Sequence, residues 1–430
     1  MLRPKSPQCR GATMTTELET MITLDDIRAA AAVLQPIITQ TPTLPAERLS
    51  QDVGGRIWYK AETMQRAGSF KIRGAYNKIN ALGPVEKARG VIAHSAGNHA
   101  QGVALAAKLL GISATVVMPE FAPLAKIIAT QRLGAEVVLH GTSFDDAGAH
   151  ARQLQAETGA TYVHAFDDPL VVAGQGTLGL EIAPYLPDHG GTVIVPIGGG
   201  GMMAGIAIAL RTLKPSVRLV GVQAAGCASI ALSQHAGHPV TVPHASTICD
   251  GIAVKRPGDL TLPVITELVD EVVTVDDDAA ARAIVHVLQH NRLLVEGAGA
   301  VGVAALLEGV ITARPNEPTI VMLCGGNIDG NFLARIIEQV LVKQGRYLRV
   351  RTSVPDRPGN LAPLINEIAQ CGANVIDLSH RRAVWELPLD RVGIEMILEV
   401  RDEVHGQAII DHLETHGYHI ERFGQRMWPI

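Results

Sequence analysis

The sequence of 430 residues predicts an α/β protein with two parallel-sheet lobes and a small C-terminal βαββαβ domain of ferredoxin-like topology. Three observations predict this fold. Short strands alternate with helices between about residues 60 and 340, and several strands are uniformly apolar, as parallel strands covered on both faces are. Glycine-rich or polar loops join these strands to the helices that follow. After residues 344–346 the pattern changes to shorter elements.

The pattern divides the chain into three predicted regions. Residues 1–20 lack the apolar core of a signal peptide and are expected to be a disordered tail. Residues 21–343 form the large α/β domain, with a smaller lobe at about 60–165, and residues 344–430 form the small domain. Order is expected to begin at Thr23, which can cap a helix in a capping box with Asp26.

The large domain is predicted element by element from its periodicity. Segments 41–44 and 54–60 are expected to be extended around a turn, and a helix begins near Lys71. Strands are expected at 91–94, 114–118, 136–140, 192–197, 218–223, 271–275 and 319–323. Helices are expected at 123–133, 144–158, 279–291, 298–308 and 331–343, with two more ending at 110 and 213.

The small domain follows as strand, helix, two strands, helix and strand. These elements are expected at 347–354, 360–369, 374–382, 392–400, 404–416 and 419–423, with a tight turn at 355–359. This order is that of the ferredoxin-like unit.

Composition excludes several classes of partner. The net charge of -5 argues against nucleic acid and anionic membranes, and no apolar run is long enough to span a bilayer. Aromatic residues, at 3%, provide little material for stacking on bases. The five cysteines are scattered without CxxC spacing, which predicts reduced thiols and a cytoplasmic protein rather than a disulfide framework or a zinc site.

Lys71 stands out because it lies at the start of a predicted helix, with Ser69 placed to cap that helix. The positive end of the helix dipole disfavours an ammonium group there. A neutral amine or an imine to a carbonyl cofactor fits better, although an ordinary surface lysine is the common alternative.

Four consecutive glycines, Gly198, Gly199, Gly200 and Gly201, lie between a predicted strand and a helix. Such a loop offers backbone N–H groups to an anion at a helix N-terminus. The acidic residue of a dinucleotide site is missing, since the next strand ends in Gln223. A phosphate without an adenosine ribose is therefore expected.

Two more loops follow predicted strands at the same sheet edges. The polar loop Ser95, Ala96, Gly97, Asn98 and His99 is suited to a carboxylate, although a plain helix cap is as common. Cys324 follows the strand at 319–323 and by itself is more often a small core residue. His94, His99 and His164 have no metal-ligand companions at suitable spacing and are interpreted as structural. Together, the lysine, the glycine loop, the amide-rich loop and a polar group at a strand end match the needs of pyridoxal phosphate.

Six motifs in this order resemble those of the threonine dehydratases (threonine ammonia-lyases), in the tryptophan-synthase-β-like group of pyridoxal-phosphate enzymes with fold type II. They are SFKIRGA (69–75), SAGNHAQG (95–102), GGGG (198–201), DGIAVKRPG (250–258), EGAGA (296–300) and CGGN (324–327). The resemblance spans roughly residues 23–340.

The resemblance implies roles for particular residues. Lys71 is the Schiff-base lysine and the base that removes the Cα proton, and Phe70 packs on the cofactor ring. Asn98 bonds the 3′-oxygen, the four glycines hold the phosphate, and the loop at 95–99 takes the substrate carboxylate. Cys324, where the family often has serine, faces the ring nitrogen as a neutral partner that favours β-elimination.

The implied reaction converts L-threonine into 2-oxobutanoate and ammonia, in a homodimer or homotetramer. L-Serine and 3-hydroxyaspartate are alternative substrates. Related serine racemases have a serine where this chain has Ala96, which argues against racemisation. Relatives with a divalent metal have a glutamate where Gln223 stands, so no metal is expected although Asp250 is present.

The C-terminal motifs VPDRPGNL (354–361) and ANV (373–375) resemble those of ACT domains, which sense small amino acids. We expect isoleucine or valine, as an end product of isoleucine biosynthesis or a related branch, to bind around Gly359, Asn360, Leu361 and Asn374 as an allosteric effector. A purely oligomerising module is the alternative.

Two hypotheses from other classes compete with this one. A non-catalytic amino-acid sensor would not need to retain Lys71, Asn98 and the glycine loop. A nicotinamide oxidoreductase is weakened by the missing acidic residue after Gly201.

Overall fold

The computed structural model describes residues 22–382 and 387–423. The chain forms two compact units, one up to Asp329 and one from Gly330 onward. The tail expected at residues 1–20 lies outside the described residues. The predicted domain boundary at 343/344 falls one helix after the division between the two units and stays a prediction.

The first unit contains thirteen helices longer than one turn and ten strands among its described residues. In chain order they are α1 (Leu24–Leu34), β1 (Thr43–Pro45), α2 (Glu47–Val53), β2 (Arg56–Ala61), α3 (Lys71–Asn80), α4 (Pro84–Arg89), β3 (Val91–His94), α5 (Asn98–Leu110), β4 (Ala114–Met118), α6 (Leu124–Arg132), β5 (Glu136–Leu139), α7 (Phe144–Thr158), β6 (Thr161–Tyr162), α8 (Pro169–Ile182), β7 (Thr192–Pro196), α9 (Gly201–Leu213), β8 (Arg218–Ala224), α10 (Ser229–Ala236), α11 (Thr261–Leu268), β9 (Glu271–Val275), α12 (Asp277–Asn291), α13 (Gly297–Leu307) and β10 (Pro318–Leu323).

The strands of the first unit form two sheets. One has six strands in the order β1-β2-β10-β7-β8-β9, and every neighbouring pair is parallel except β1 with β2. The other is a parallel sheet of four strands in the order β5-β4-β3-β6. The prediction of a two-sheet α/β fold is confirmed. The second sheet spans Val91 to Tyr162, inside the predicted smaller lobe.

Several segments differ from their prediction, since helices α4, α10 and α11 and strand β6 were not among the predicted elements. The turn expected between 44 and 54 is the helix α2, and the helix α8 was not predicted. Helix α8 is apolar and glycine-rich on all sides, so it lacks the one-sided periodicity that identifies a surface helix. Its glycines allow close backbone approach, since a Cβ at Gly174 would lie 2.7 Å from the Cα of Gly74.

The two predicted helix caps have different outcomes. The capping box between Thr23 and Asp26 is confirmed. The cap by Ser69 is wrong, because its hydroxyl is buried without a hydrogen-bond partner among the described residues. Ser69 is extended and bridges Gly325, and the Phe70 N–H donates to the Cys324 carbonyl at 3.2 Å. The backbone after β10 therefore fixes the start of α3.

Helix α3 is also anchored by a buried arginine from the same motif. Arg73 is fully buried and donates to Glu62 at 2.8 Å and to Glu181 at 2.5 Å. Burial alone would raise the pKa of Glu62, but the charge and hydrogen bonds of Arg73 outweigh it and lower that pKa. Lys60 completes the cluster at 2.5 Å from Glu181. The cluster ties α3 to β2 and α8 and so fixes the position of Lys71.

The second unit is built on one antiparallel sheet. Its elements are α14 (Gly330–Lys343), β11 (Tyr347–Pro355), α15 (Leu361–Gln370), β12 (Asn374–Arg381), β13 (Arg391–Glu399), α16 (Glu403–Thr415) and β14 (Glu421–Arg422). The strand order is β12-β13-β11-β14, which confirms the predicted ferredoxin-like arrangement. Its core includes Val350, Leu364, Met396 and Ile409.

Among the residues that the structure describes, no helix combines the length and apolar character needed to cross a membrane.

Candidate active site

A cavity of about 990 Å³ lies in the first unit, where several strands reach their carboxyl ends. The loops that line it follow β3, β7 and β10. Every catalytic, cofactor-binding and carboxylate-binding residue predicted from the sequence lies in its wall, namely Phe70, Lys71, Ser95, Ala96, Gly97, Asn98, His99, Gly198, Gly199, Gly200, Gly201 and Cys324. The structure therefore brings together motifs that are up to 254 positions apart in the chain.

Lys71 is the first residue of α3 and its amine faces this cavity. Nζ donates to the Ala165 carbonyl at 2.8 Å and lies 5.2 Å from the centre of the Phe70 ring. Burial lowers the pKa of Lys71 to about 8, although Cys324 and Glu296 oppose the shift. A substantial fraction of this amine is therefore neutral near pH 8 and able to attack a carbonyl carbon.

The glycine loop connects β7 to the N-terminus of α9. Gly200 has φ +100°, and a Cβ there would lie 2.6 Å from Ile265 Cδ1. A Cβ at Gly199 would lie 2.4 Å from the Phe166 ring. Glycine is thus required for space and for backbone geometry at adjacent positions. The Gly199 carbonyl accepts from Thr261 Oγ1 at 2.6 Å, which holds the loop in place at the positive end of α9.

Asn98 is the first residue of α5, and both ends of its side-chain amide are bonded. Nδ2 donates to Glu296 Oε1 at 2.5 Å, and Oδ1 accepts from Asn327 Nδ2 at 2.7 Å. Asn327 also donates to the Ala67 carbonyl at 2.9 Å. This chain of bonds joins the loops that follow β3 and β10 to the segment before Lys71.

Glu296 is a site residue that sequence reasoning missed. Burial is the main cause that raises the pKa of Glu296 to about 7, and the negative charge of Asp250 adds to it. The hydrogen bond from Asn98 lowers this pKa but does not outweigh them. The one feature of the sequence that could have indicated it is the position of Glu296, an isolated acidic residue directly before the uniformly apolar helix α13. A buried carboxyl group that titrates near neutral pH at a cavity wall is typical of functional sites.

Cys324 and the nearby histidines are neutral groups. Burial, then the negative charge of Glu296, raises the pKa of the Cys324 thiol well above its usual value. Burial likewise lowers the pKa of His99 well below its usual value, and its Nε2 bonds the Val163 carbonyl at 2.8 Å. His164 Nδ1 accepts from the Asp167 N–H at 2.7 Å, and His94 bonds Tyr162.

Gln223 and Asp250 each have a partner of their own within the chain. Gln223 is fully buried, and its oxygen accepts from the Ala231 N–H at 3.0 Å. The carboxylate of Asp250 pairs with Lys126 at the cavity wall. The expectation that no metal binds here stays a prediction.

The predicted effector residues are separated within one chain. Gly359, Asn360 and Leu361 follow the end of β11, where Pro355 pairs with Arg391. Asn374 begins β12 and pairs with Glu399, eight residues further along the same strand β13. Eight residues of antiparallel strand span about 27 Å. A ligand that touched both places would therefore have to contact two chains, and the expectation of an effector at these residues stays a prediction.

Comparison with known proteins agrees with this geometry. Residues 34–325 match the family described as "Pyridoxal-phosphate dependent enzyme". The chain is 46% identical to the L-threonine ammonia-lyase of Thermotoga maritima over 404 residues, which are 94% of this chain and 100% of that protein.

Two solved structures are also similar. The processed form of threonine deaminase isoform 2 from Solanum lycopersicum has a TM-score of 0.71 and 39% identity, over 77% of this chain and 90% of that one. Maize serine racemase has a TM-score of 0.70 and 36% identity, over 75% of this chain and 99% of that one.

The chemistry of the donor set also fits the cofactor that this family uses. A lysine amine of lowered pKa, a helix N-terminus built from glycines and a neutral thiol line one cavity. These groups suit a carbonyl carbon, a phosphate and a ring nitrogen, respectively. The chain belongs to the pyridoxal-phosphate dependent enzymes.

Proposed function

We propose that this protein is an L-threonine ammonia-lyase, which converts L-threonine into 2-oxobutanoate and ammonia. The observation that carries the proposal is the position of Lys71, whose amine of lowered pKa faces the glycine loop and Cys324 across one cavity. The full-length alignment with a relative named L-threonine ammonia-lyase supports the choice of substrate.

Each residue then has a defined task. Bound pyridoxal phosphate supplies an electron sink for the substrate's Cα, and Lys71 holds it covalently and removes the Cα proton. The loop from Ser95 to His99 binds the substrate carboxylate through its N–H groups, at the start of α5. The four glycines at 198–201 hold the phosphate, and Asn98 orients the ring through its second amide hydrogen.

The neutral thiol of Cys324 shapes the outcome of the reaction. An un-ionised thiol at this position would not fix a proton on the ring nitrogen of bound pyridoxal phosphate, which would then be a weaker electron sink. Loss of the β-hydroxyl as water is then favoured over transamination. The released enamine hydrolyses to the oxo acid and ammonia.

The test is release of 2-oxobutanoate from L-threonine by the purified protein, beside pyruvate release from L-serine and turnover of 3-hydroxyaspartate. We expect the highest kcat/KM with L-threonine. A pocket discriminates one methyl group by about 10–200-fold, so some turnover of serine is expected. Higher kcat/KM with serine or 3-hydroxyaspartate would assign the same scaffold to that substrate instead.

Racemisation is the second candidate activity, because maize serine racemase is similar in structure. Ala96 lines the cavity and has no hydroxyl to exchange a proton on the second face of Cα. We therefore expect no D-serine from L-serine on chiral chromatography. Appearance of D-serine at a rate comparable to that of pyruvate would overturn this assignment.

We also propose that the second unit is an ACT domain that senses isoleucine or valine. Its support is the ferredoxin-like sheet and the turn at Gly359, where φ is +92° and the space that a Cβ would occupy is open to 4 Å. Because Asn374 lies at the other end of the sheet, the effector site requires the turn of one chain and Asn374 of another. A site shared by two chains requires an oligomer, which we propose to be a homodimer or homotetramer. We further propose that the protein acts in the cytoplasm and contributes to isoleucine biosynthesis.

Two measurements test the regulatory proposal. Millimolar isoleucine or valine should change the rate of threonine turnover and raise the melting temperature, and Asn374→Ala should remove both effects. Unchanged turnover and melting temperature with either amino acid would leave the second unit as an oligomerising module. Light scattering of the purified protein gives the number of chains.

A further inference from the structure

Three potential metal ligands meet on the helical side of the second unit. Glu367 on α15 faces His412 and His416 on α16, with Oε2 of Glu367 2.7 Å from Nε2 of His412 and 3.8 Å from Nε2 of His416. The ligand atoms of all three lie within 4.8 Å of one another. Over the described ranges 22–382 and 387–423, this is the one group of three or more His, Cys, Asp or Glu side chains that meets this criterion.

The spacing suits a metal ion of the first transition series. Residues four apart on a helix project from the same face, so His412 and His416 present two imidazoles side by side. Their ring centres are 4.2 Å apart. In a tetrahedral zinc site with bonds of about 2.0–2.1 Å, neighbouring ligand atoms lie roughly 3.3 Å apart. This value lies between the 2.7 Å and 3.8 Å that separate Glu367 Oε2 from the Nε2 atoms of His412 and His416.

The second ring nitrogen of His416 is already oriented for this role. Nδ1 bonds the carbonyl of His412 at 2.8 Å, and as a neutral imidazole it donates that bond and leaves a lone pair on Nε2. His412 Nε2 bonds Glu367 at 2.7 Å, and a metal ion takes the place of the proton in that bond.

The rest of the unit supports the position of the cluster. Leu364 and Ile368, on either side of Glu367 in α15, and Leu413 on α16 are fully buried in the core beneath. The side chain of His416 is 46% exposed, which leaves the cluster open to an ion from solvent. The core therefore fixes the two helices, and the three polar groups lie above it at their junction.

We propose that Glu367, His412 and His416 bind one divalent transition-metal ion of the zinc class, with water completing its coordination. Two imidazoles and a carboxylate are ligands that Zn²⁺ accepts and that Co²⁺ can report on. The ion bridges α15 to α16 and stabilises the second unit. The site is separate from the proposed catalytic cavity, and it departs from the expectation of no metal drawn from the sequence.

The test is a calorimetric titration of the untagged, full-length holoenzyme with zinc, repeated for His416→Gln. We expect one zinc per chain in the parent and at least about tenfold weaker binding in the variant, since even outer-shell changes cost 10–100-fold. His290→Gln is the matched control. His286 and His290 are also four apart on a helix, and His286 lies 3.0 Å from Asp52, but this trio does not meet the same distance criterion.

A second measurement uses cobalt, because its visible d–d bands report coordination directly. The parent and His290→Gln should show these bands without a thiolate charge-transfer band, and Glu367→Gln and His416→Gln should lose them. Zinc should also raise the melting temperature of the parent but not of His416→Gln. Equal zinc affinity in the parent and His416→Gln, or a thiolate band, would place the metal elsewhere and overturn the proposal.

Discussion

Asn98 Nδ2 donates to the buried carboxyl group of Glu296 and thereby joins two loops that are 198 positions apart. Asn98 begins α5, which follows β3 of the four-stranded sheet, and Glu296 precedes α13, which packs on the six-stranded sheet. The bond crosses between the two halves of the first unit at the wall of the cavity. The protonation state of Glu296 is thus coupled to the position of Asn98, the residue proposed to bind the cofactor.

Replacing Lys71 should abolish catalysis with little effect on folding. Lys71→Ala removes the proposed base and the covalent attachment of the cofactor, so we expect at least about a 10³-fold loss of kcat for threonine. The visible absorption band of the bound cofactor should disappear at the same time. Lys78→Ala is the control, since Lys78 lies on the same helix and pairs with Asp168 instead. Retained turnover in Lys71→Ala would refute its role.

Glu296 should make the stability of the protein depend on pH. Its folded pKa of about 7 lies above the ordinary 4.5, so the folded state binds the proton more tightly than the unfolded state does. The free energy of unfolding then falls as pH rises from about 4.5 to about 7, by at most roughly 3 kcal/mol. Glu296→Gln cannot ionise, so in urea denaturation of cofactor-free protein its stability relative to the parent should rise over this window. A constant difference across that range would contradict the raised pKa.

Gly200→Ala should weaken binding of the cofactor. The φ of +100° strains any residue with a Cβ, and the added atom would contact Ile265. We expect at least about a tenfold rise in the dissociation constant for pyridoxal phosphate, measured by fluorescence titration, from distortion costing 1–3 kcal/mol. Gly237→Ala has similar backbone strain at φ +76° with no atom near the new Cβ. It should change stability but not cofactor affinity.

Cys324 should tolerate a neutral replacement but not a charged one. Cys324→Ser keeps a small un-ionised group, and we expect kcat for threonine within a few-fold of the parent. Cys324→Asp places a carboxyl group at this buried position, and its ionised form would fix a proton on the ring nitrogen of bound pyridoxal phosphate, which the neutral thiol does not do. We expect at least about a tenfold loss of threonine turnover, with transamination gaining relative to elimination. Equal activity of both variants would show that this position does not influence the ring nitrogen.

Arg73 should be essential for stability rather than for chemistry. Arg73→Met leaves the buried carboxylate of Glu62 without its ion-pair partner and leaves Glu181 with Lys60 alone, which costs about 3–5 kcal/mol. A matching shift of the urea midpoint is expected. Arg28→Met, which removes an exposed ion pair with Asp25, should have almost no effect. Similar midpoints for the two variants would show that the cluster does not hold α3.

Local sequence patterns predict most of the elements and most of the residues that line the cavity. Apolar strands and amphipathic helices carry their period locally, which is why α7 and β9 have the bounds that their periodicity predicts. The glycine loop at 198–201 and Lys71 were also recognisable, because a phosphate and a carbonyl cofactor require particular residue types in particular places.

The contacts between distant segments follow from the tertiary fold. Helix α8 is buried on all sides and has no amphipathic period, so its apolar pattern did not reveal it. The backbone after β10, not the hydroxyl of Ser69, fixes the start of α3. The raised pKa of Glu296 and the separation of Asn374 from Gly359 depend on burial and strand register. These are properties of contacts between remote residues, which local sequence patterns do not encode.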